Sequence, residues 1–215
     1  MSEFVLVPGA GGDGWYWSRV TELLRERGHG ATPIDLPAGD EAAGLRAYAD
    51  VIVAAIAGRG DVVLVAHSMG AFSAPLAAAE GEVEALLLVA PMIPATGESV
   101  NDWWTTTADG RRDAPPFDEV ESFFHDVPEP LVAEALARPG QEQADRPCAE
   151  PWPLDAWPDV PTRVLVARED RIFPYAFARD LARERLGVEA DTIDSGHLPS
   201  LARPRELAAW LDAVS

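Results

Sequence analysis

Over residues 1–90 the apolar positions follow two alternating rhythms. Residues 4–7 (Phe-Val-Leu-Val) form a short unbroken apolar run closed by Pro8-Gly9, which predicts a buried strand. Residues 15–27 switch to helical spacing, with Trp17, Val20, Leu23 and Leu24 on one face and Gly28 as the stop. A second strand is expected at 32–36, before Pro37, and an Ala/Val/Ile-rich helix at 45–57, ending at Gly58. Residues 61–66 read as a third strand, 69–80 as a helix and 85–90 as a fourth strand. After Pro91 the rhythm breaks. Residues 91 to 160 are rich in Pro, Trp and acidic groups, with weak helical stretches only at 117–124 and 130–137. It then resumes with a strand at 163–167, a helix at 175–185 closed by Gly187, a strand at 188–193 and a helix at 204–214.

Strand alternating with helix predicts an α/β fold: a mostly parallel six-stranded sheet flanked by helices, since parallel neighbours need crossovers. Runs as apolar as Val62-Val63-Leu64-Val65-Ala66 fit strands buried on both faces. The irregular stretch is too long for an idle loop. It reads as a small cap inserted after the fourth strand, so that 1–90 and 161–215 form the core and 91–160 the cap. No repeat or low-complexity tract is present.

Charge narrows the partners. All 17 basic residues are Arg, Asp and Glu number 36, and the formal charge is −19. Nucleic acid and anionic membrane would be repelled by that average charge, so neither is expected as a partner. Cys148 is the only cysteine, so no intrachain disulfide can form. The N-terminus shows no signal-peptide pattern and no apolar run is long enough to cross a bilayer, which points to a soluble cytoplasmic protein. The histidines are scattered without metal-ligand spacing, so neither metal nor cofactor is expected.

The chemistry centres on Ala66-His67-Ser68-Met69-Gly70, where a strand turns into a helix. Such an elbow exposes a Ser hydroxyl, needs small neighbours to close, and aims helix N–H groups at a developing oxyanion. The plainer reading of Ser68 is a helix N-cap. A Ser nucleophile needs a base. His67 adjoins Ser68, but the sharp turn directs consecutive side chains apart, so it is expected to pack beneath the turn. His29, just past a helix end, is expected to meet the last carbonyls. His125 lies in the cap, facing either substrate or solvent. His197, on the loop after the last strand, is the candidate base, because sites in parallel sheets form beyond the carboxyl ends of the strands. Asp170, beyond the 163–167 strand, is the candidate acid; Glu169 is its close rival, Asp194 a weaker one, and a salt bridge to Arg171 is the plain alternative. The order Ser, Asp, His along the chain is that of hydrolases with a strand-to-helix nucleophile turn.

An oxyanion needs a second backbone donor besides the Met69 N–H. Ala10, in the glycine-rich loop 8–14 after the first strand, is the candidate, with Gly9 beside it at the substrate. Gly9-Ala10-Gly11-Gly12-Asp13-Gly14 also nears a dinucleotide fingerprint, with Asp35 as the ribose acid. That reading leaves Ser68, Asp170 and His197 unexplained. Seven cap aromatics, Trp103, Trp104, Phe117, Phe123, Phe124, Trp152 and Trp157, suggest an apolar pocket. Trp104, Phe124 and His125 are the candidates for substrate contact, although some of these aromatics will simply anchor the cap.

These residues resemble the alpha/beta-hydrolase superfamily, in the branch of plant methyl-ester esterases, hydroxynitrile lyases and related small bacterial hydrolases. The resemblance rests on Leu6-Val7-Pro8-Gly9-Ala10 with Trp15 and Trp17, on Asp35-Leu36-Pro37, on 66–70, and on Asp170 and Gly196-His197. It departs at Pro8, where relatives carry His. It implies that lyases of the branch would place a Lys after the catalytic His and a Thr in the oxyanion loop. Leu198 and Gly9 stand there, and the chain has no Lys. The resemblance therefore implies hydrolysis of a small, largely apolar ester through an acyl-enzyme. A slow or non-catalytic binding protein and a cofactor-free C–C hydrolase or lyase are the alternatives. The expected partner is a small-molecule substrate, with a homodimer left open.

Overall fold

The computed structural model describes residues 1–214. In chain order its elements are β1 (Glu3–Val7), a 3₁₀ turn (Gly14–Trp17), α1 (Ser18–Glu26), β2 (Gly30–Pro33), α2 (Leu45–Ile56), β3 (Val62–His67), α3 (Gly70–Ala78) and β4 (Ala85–Val89). The stretch after β4, hereafter the insertion, carries α4 (Val100–Thr106), α5 (Glu119–Phe124), α6 (Glu129–Ala137) and α7 (Asp145–Ala149). The chain then runs through β5 (Thr162–Ala167), α8 (Tyr175–Leu186), β6 (Asp191–Ile193), α9 (Pro199–Ala202) and α10 (Pro204–Val214).

All strand pairs are parallel, in the order β2-β1-β3-β4-β5-β6. Successive side chains of a strand point to opposite faces, and the core divides accordingly. Val5, Leu64, Leu86 and Val164 pack with Ile52 of α2, Phe72 of α3 and Leu181 of α8. Phe4, Val63, Leu87 and Leu165 pack with Val20 and Leu24 of α1 and Leu207 and Leu211 of α10 on the other face. A sheet buried on both sides explains why β3 is apolar from Val62 to Ala66. The order also differs from that of a dinucleotide-binding sheet, where the third strand lies outside the second; here β3 sits beside β1.

Several boundaries differ from expectation, each for a local reason. β2 occupies 30–33 rather than 32–36, because its pairing with β1 runs from Glu3↔Gly30 to Leu6↔Pro33. β6 starts at Asp191 rather than 188, because Val188 donates its N–H to the Ala182 carbonyl and so closes the end of α8. The helix expected at 15–27 begins as the 3₁₀ turn, which Asp13 caps by accepting from the Trp15 N–H. In the insertion, α4 was not anticipated. Ser99 and Asp102 cap it reciprocally, each side chain accepting from the other's backbone N–H. No helix among the described residues is long and apolar enough to cross a membrane.

Candidate active site

The elbow is strained where the sequence suggests it. Ser68 has φ +49°, unusual for a residue with a side chain. Its backbone is held in place: its N–H donates to the Val89 carbonyl (3.1 Å), and its own carbonyl accepts from Met92 N–H (3.0 Å). Gly70 allows the turn to close, since a Cβ there would stand 2.6 Å from the Pro8 carbonyl oxygen. The helix following Ser68 is therefore pressed against the loop that follows β1.

The structure brings Ser68, His197 and Asp170 into one hydrogen-bonded line. A carboxylate only accepts, so His197 Nδ1–H donates to Asp170 Oδ2 (2.7 Å), and the remaining lone pair on Nε2 accepts from Ser68 Oγ–H (3.0 Å). The other Asp170 oxygen accepts from the N–H groups of Ile172 (2.8 Å) and Phe173 (2.9 Å), which fixes the carboxylate plane. His197 is 1% exposed, with the rings of Phe173 and Phe123 edge-on to its imidazole. The rivals lie elsewhere. Glu169 is exposed, Asp194 pairs with Arg168 at the surface, and Arg171 pairs with Glu121 rather than Asp170.

The other three histidines have distinct settings. His67 is buried and donates Nε2–H to the His197 carbonyl (2.8 Å), so it does pack beneath the turn. Burial, then the neighbouring His197, pushes its pKa down to about 3, which keeps it neutral. His29 does not meet the end of α1 through its side chain. Its Nδ1 accepts from the Ser2 N–H and its Nε2–H faces Asp212, tying the N-terminus to α10. His125, a candidate for substrate contact, does not line the cavity. It donates Nε2–H to the Glu169 carbonyl (3.0 Å), because the turn after α5 points it at the loop carrying Asp170.

A cavity of about 550 Å³ opens over Ser68, well within the size of ligand sites. Gly9, Ala10 and Met69 line it beside Ser68 and His197, and Trp104 and Phe124 line it from the insertion. Among the described residues the Ala10 and Met69 N–H groups have no acceptor within the chain. Not every cap aromatic faces the cavity. Trp103 and Trp152 are core anchors, donating Nε1–H to the carbonyls of Ile93 and Phe72. Tyr16 and Cys148, also on the wall, have pKa values raised chiefly by burial, so they present neutral O–H and S–H groups.

The glycine loop makes the dinucleotide alternative untenable. Asp35 spends a carboxylate oxygen on the Gly14 N–H (2.8 Å), and Gly12 packs against the Leu36 carbonyl rather than facing a ligand. The far end of the insertion braces the same loop. Arg138 pairs with Asp13, and Gln143 accepts from the Gly11 N–H. Sequence reasoning missed this bracing, since nothing in the spacing of 138–143 marks it. Among the described residues no group of three or more His, Cys, Asp or Glu side chains is placed to hold a metal.

Comparison with known proteins gives one consistent picture. A sequence model described as "Alpha/beta hydrolase family" matches residues 4–210. The chain is 28% identical to a probable esterase, PIR7A, of Oryza sativa subsp. indica, over 97% of this chain and 94% of that one. It is 26% identical to norfluorocurarine synthase 1 of Strychnos nux-vomica, over 99% and 94% of the two. Among solved structures, polyneuridine aldehyde esterase superimposes with a TM-score of 0.81 at 23% identity, covering 100% of each chain.

Proposed function

The chain belongs to the alpha/beta hydrolase family, and we propose that within it the protein is a serine esterase acting on a small, largely apolar carboxylic ester. The observation that carries this reading is the continuous hydrogen-bonded line from Asp170 through His197 to Ser68 Oγ, whose Ser68 end shares the cavity with the unclaimed N–H groups of Ala10 and Met69. Ser68 Oγ attacks the ester carbonyl while His197 Nε2 takes its proton. Asp170 holds the tautomer that leaves Nε2 free to do so. The oxyanion is received by the Ala10 and Met69 N–H groups. His197 then protonates the departing alcohol, and a water activated by the same imidazole cleaves the acyl-enzyme. Gly9, Trp104 and Phe124 form part of the wall against which the substrate rests.

The aromatic wall supports an apolar acyl or alcohol group, and the esterases among the relatives support ester chemistry. A fluorophosphonate probe tests the reading. It should label the wild type stoichiometrically and leave Ser68→Ala unlabelled, and short p-nitrophenyl esters should turn over only with the former. A wild type that resists the probe would overturn the assignment.

A further inference from the structure

Immediately after α5, the insertion grips both loops that carry the base and the acid. Asp126 Oδ2 accepts from the Gly196 N–H (2.8 Å) and from Ser195 Oγ–H (3.1 Å). Its neighbour His125 donates Nε2–H to the Glu169 carbonyl (3.0 Å). Gly196 directly precedes His197, and Glu169 directly precedes Asp170. One dipeptide of the insertion thus holds a backbone group of the residue that precedes each of the two. The loops are also joined to each other, since the Glu169 N–H donates to the Ser195 carbonyl (3.0 Å). The fit is tight. A Cβ on Gly196 would lie 2.6 Å from both Asp126 Oδ1 and His125 Nε2, so a side chain there would push both groups from their present places. Among the described residues Asp126 Oδ1 is buried without a hydrogen-bond partner.

The same helix shapes the cavity. Phe123 stands edge-on to the His197 ring at 5.4 Å, and Phe124 lines the wall. The wall and the grip are therefore adjacent in sequence, joined through α5. Movement of α5 has to move the Asp170–His197 pair or break these hydrogen bonds.

We propose that His125 and Asp126 are positioning residues that hold Asp170 and His197 in register and make that register depend on the seating of α5 over the cavity. The proposal rests on the esterase reading for its kinetic consequence but not for its geometric one. A displacement of about 1 Å at a reacting centre lowers rates by up to about 100-fold. Asp126→Ala and His125→Phe should therefore lower kcat on a short p-nitrophenyl ester by ~10- to 100-fold with KM nearly unchanged. His125→Gln, which keeps an N–H donor at similar reach, should restore most of the kcat lost in His125→Phe.

A second readout needs no substrate. The strongly deshielded proton on His197 Nδ1, identified by its loss in Asp170→Ala, should shift or broaden in the proton NMR spectrum of Asp126→Ala and His125→Phe and return in His125→Gln. The proposal is overturned if kcat falls only in proportion to the folded fraction, or if KM alone rises, or if that resonance is unmoved in both variants. If the wild type instead resists fluorophosphonate, the esterase reading fails while the NMR arm still decides the positioning role.

Discussion

Replacing Asp170 by Asn changes one atom and should nearly abolish turnover. The amide oxygen can still accept from the Ile172 and Phe173 N–H groups, which lie 2.8 and 2.9 Å from Asp170 Oδ1. The new amide nitrogen then occupies the place of Oδ2, 2.7 Å from His197 Nδ1. Two donors cannot face each other, so His197 must offer a lone pair at Nδ1 and move its proton to Nε2. That proton points at Ser68 Oγ, and the imidazole can no longer take the hydroxyl proton. Loss of the productive tautomer is worth ~10⁴ in kcat, or about 5.4 kcal/mol of barrier. The fold should be little affected. Asp170→Ala, by contrast, leaves two buried N–H groups unpaired at about 1–3 kcal/mol each, so it should lose stability as well as activity. Stopped-flow acylation with p-nitrophenyl acetate and urea unfolding separate the two effects. An Asn variant that keeps more than a tenth of wild-type kcat would refute the tautomer argument. Glu169→Gln, at the exposed neighbour, should stay within twofold of wild type.

Two further outcomes are expected. Gly70→Ala forces a Cβ to within 2.6 Å of the Pro8 carbonyl oxygen. The loop bearing Ala10 must retreat, with an overpacking cost of about 1–3 kcal/mol and a fall in acylation rate, read by fluorophosphonate labelling kinetics; an unaltered labelling rate would show that the loop is not pressed against α3. His67 has a pKa lowered to about 3 in the folded chain against 6.5 for an ordinary imidazole. Below 6.5 the unfolded chain binds a proton that the folded chain refuses. This component of stability is therefore fully present above pH 6.5 and declines as pH falls toward 3, by up to about 1.4 kcal/mol per unit. Urea midpoints of wild type and His67→Gln should converge as the pH is lowered through this window; parallel curves would contradict the burial argument.

The chemistry was more legible in the sequence than the insertion was. Ser68, Asp170 and His197 could be named because each follows a strand that the apolar pattern marks, and parallel strands deliver their carboxyl ends to one edge. The choice of Asp170 over Glu169 was not resolvable from spacing; it depends on which side chain turns inward, and the two N–H groups of 172 and 173 decide that. The insertion was read from composition, which cannot distinguish Trp104 on the cavity wall from Trp103 in the core one residue earlier. Its first helix carries a readable capping signal in Ser99 and Asp102, although the surrounding residues carry no clear apolar stripe. His125 was a candidate for substrate contact only through its place in the cap, with solvent as the other setting; the turn after α5 directs it toward the acid loop instead. Its hydrogen bond to the Glu169 carbonyl crosses 44 residues of chain, and no local pattern encodes such a contact.

The pairing of Arg138 with Asp13 bears on how the site empties. Arg138 is the only arginine on the cavity wall among the described residues, and its guanidinium is committed to that carboxylate and stacked over Trp15. An ester arrives neutral, but its acid leaves as an anion. The wall therefore offers no unclaimed arginine to retain that anion, and the surrounding surface belongs to a chain of net charge −19, whose field draws no neutral ester in yet repels a carboxylate outward. On the esterase reading, the acidity that disfavours polyanionic partners also favours departure of the acid product.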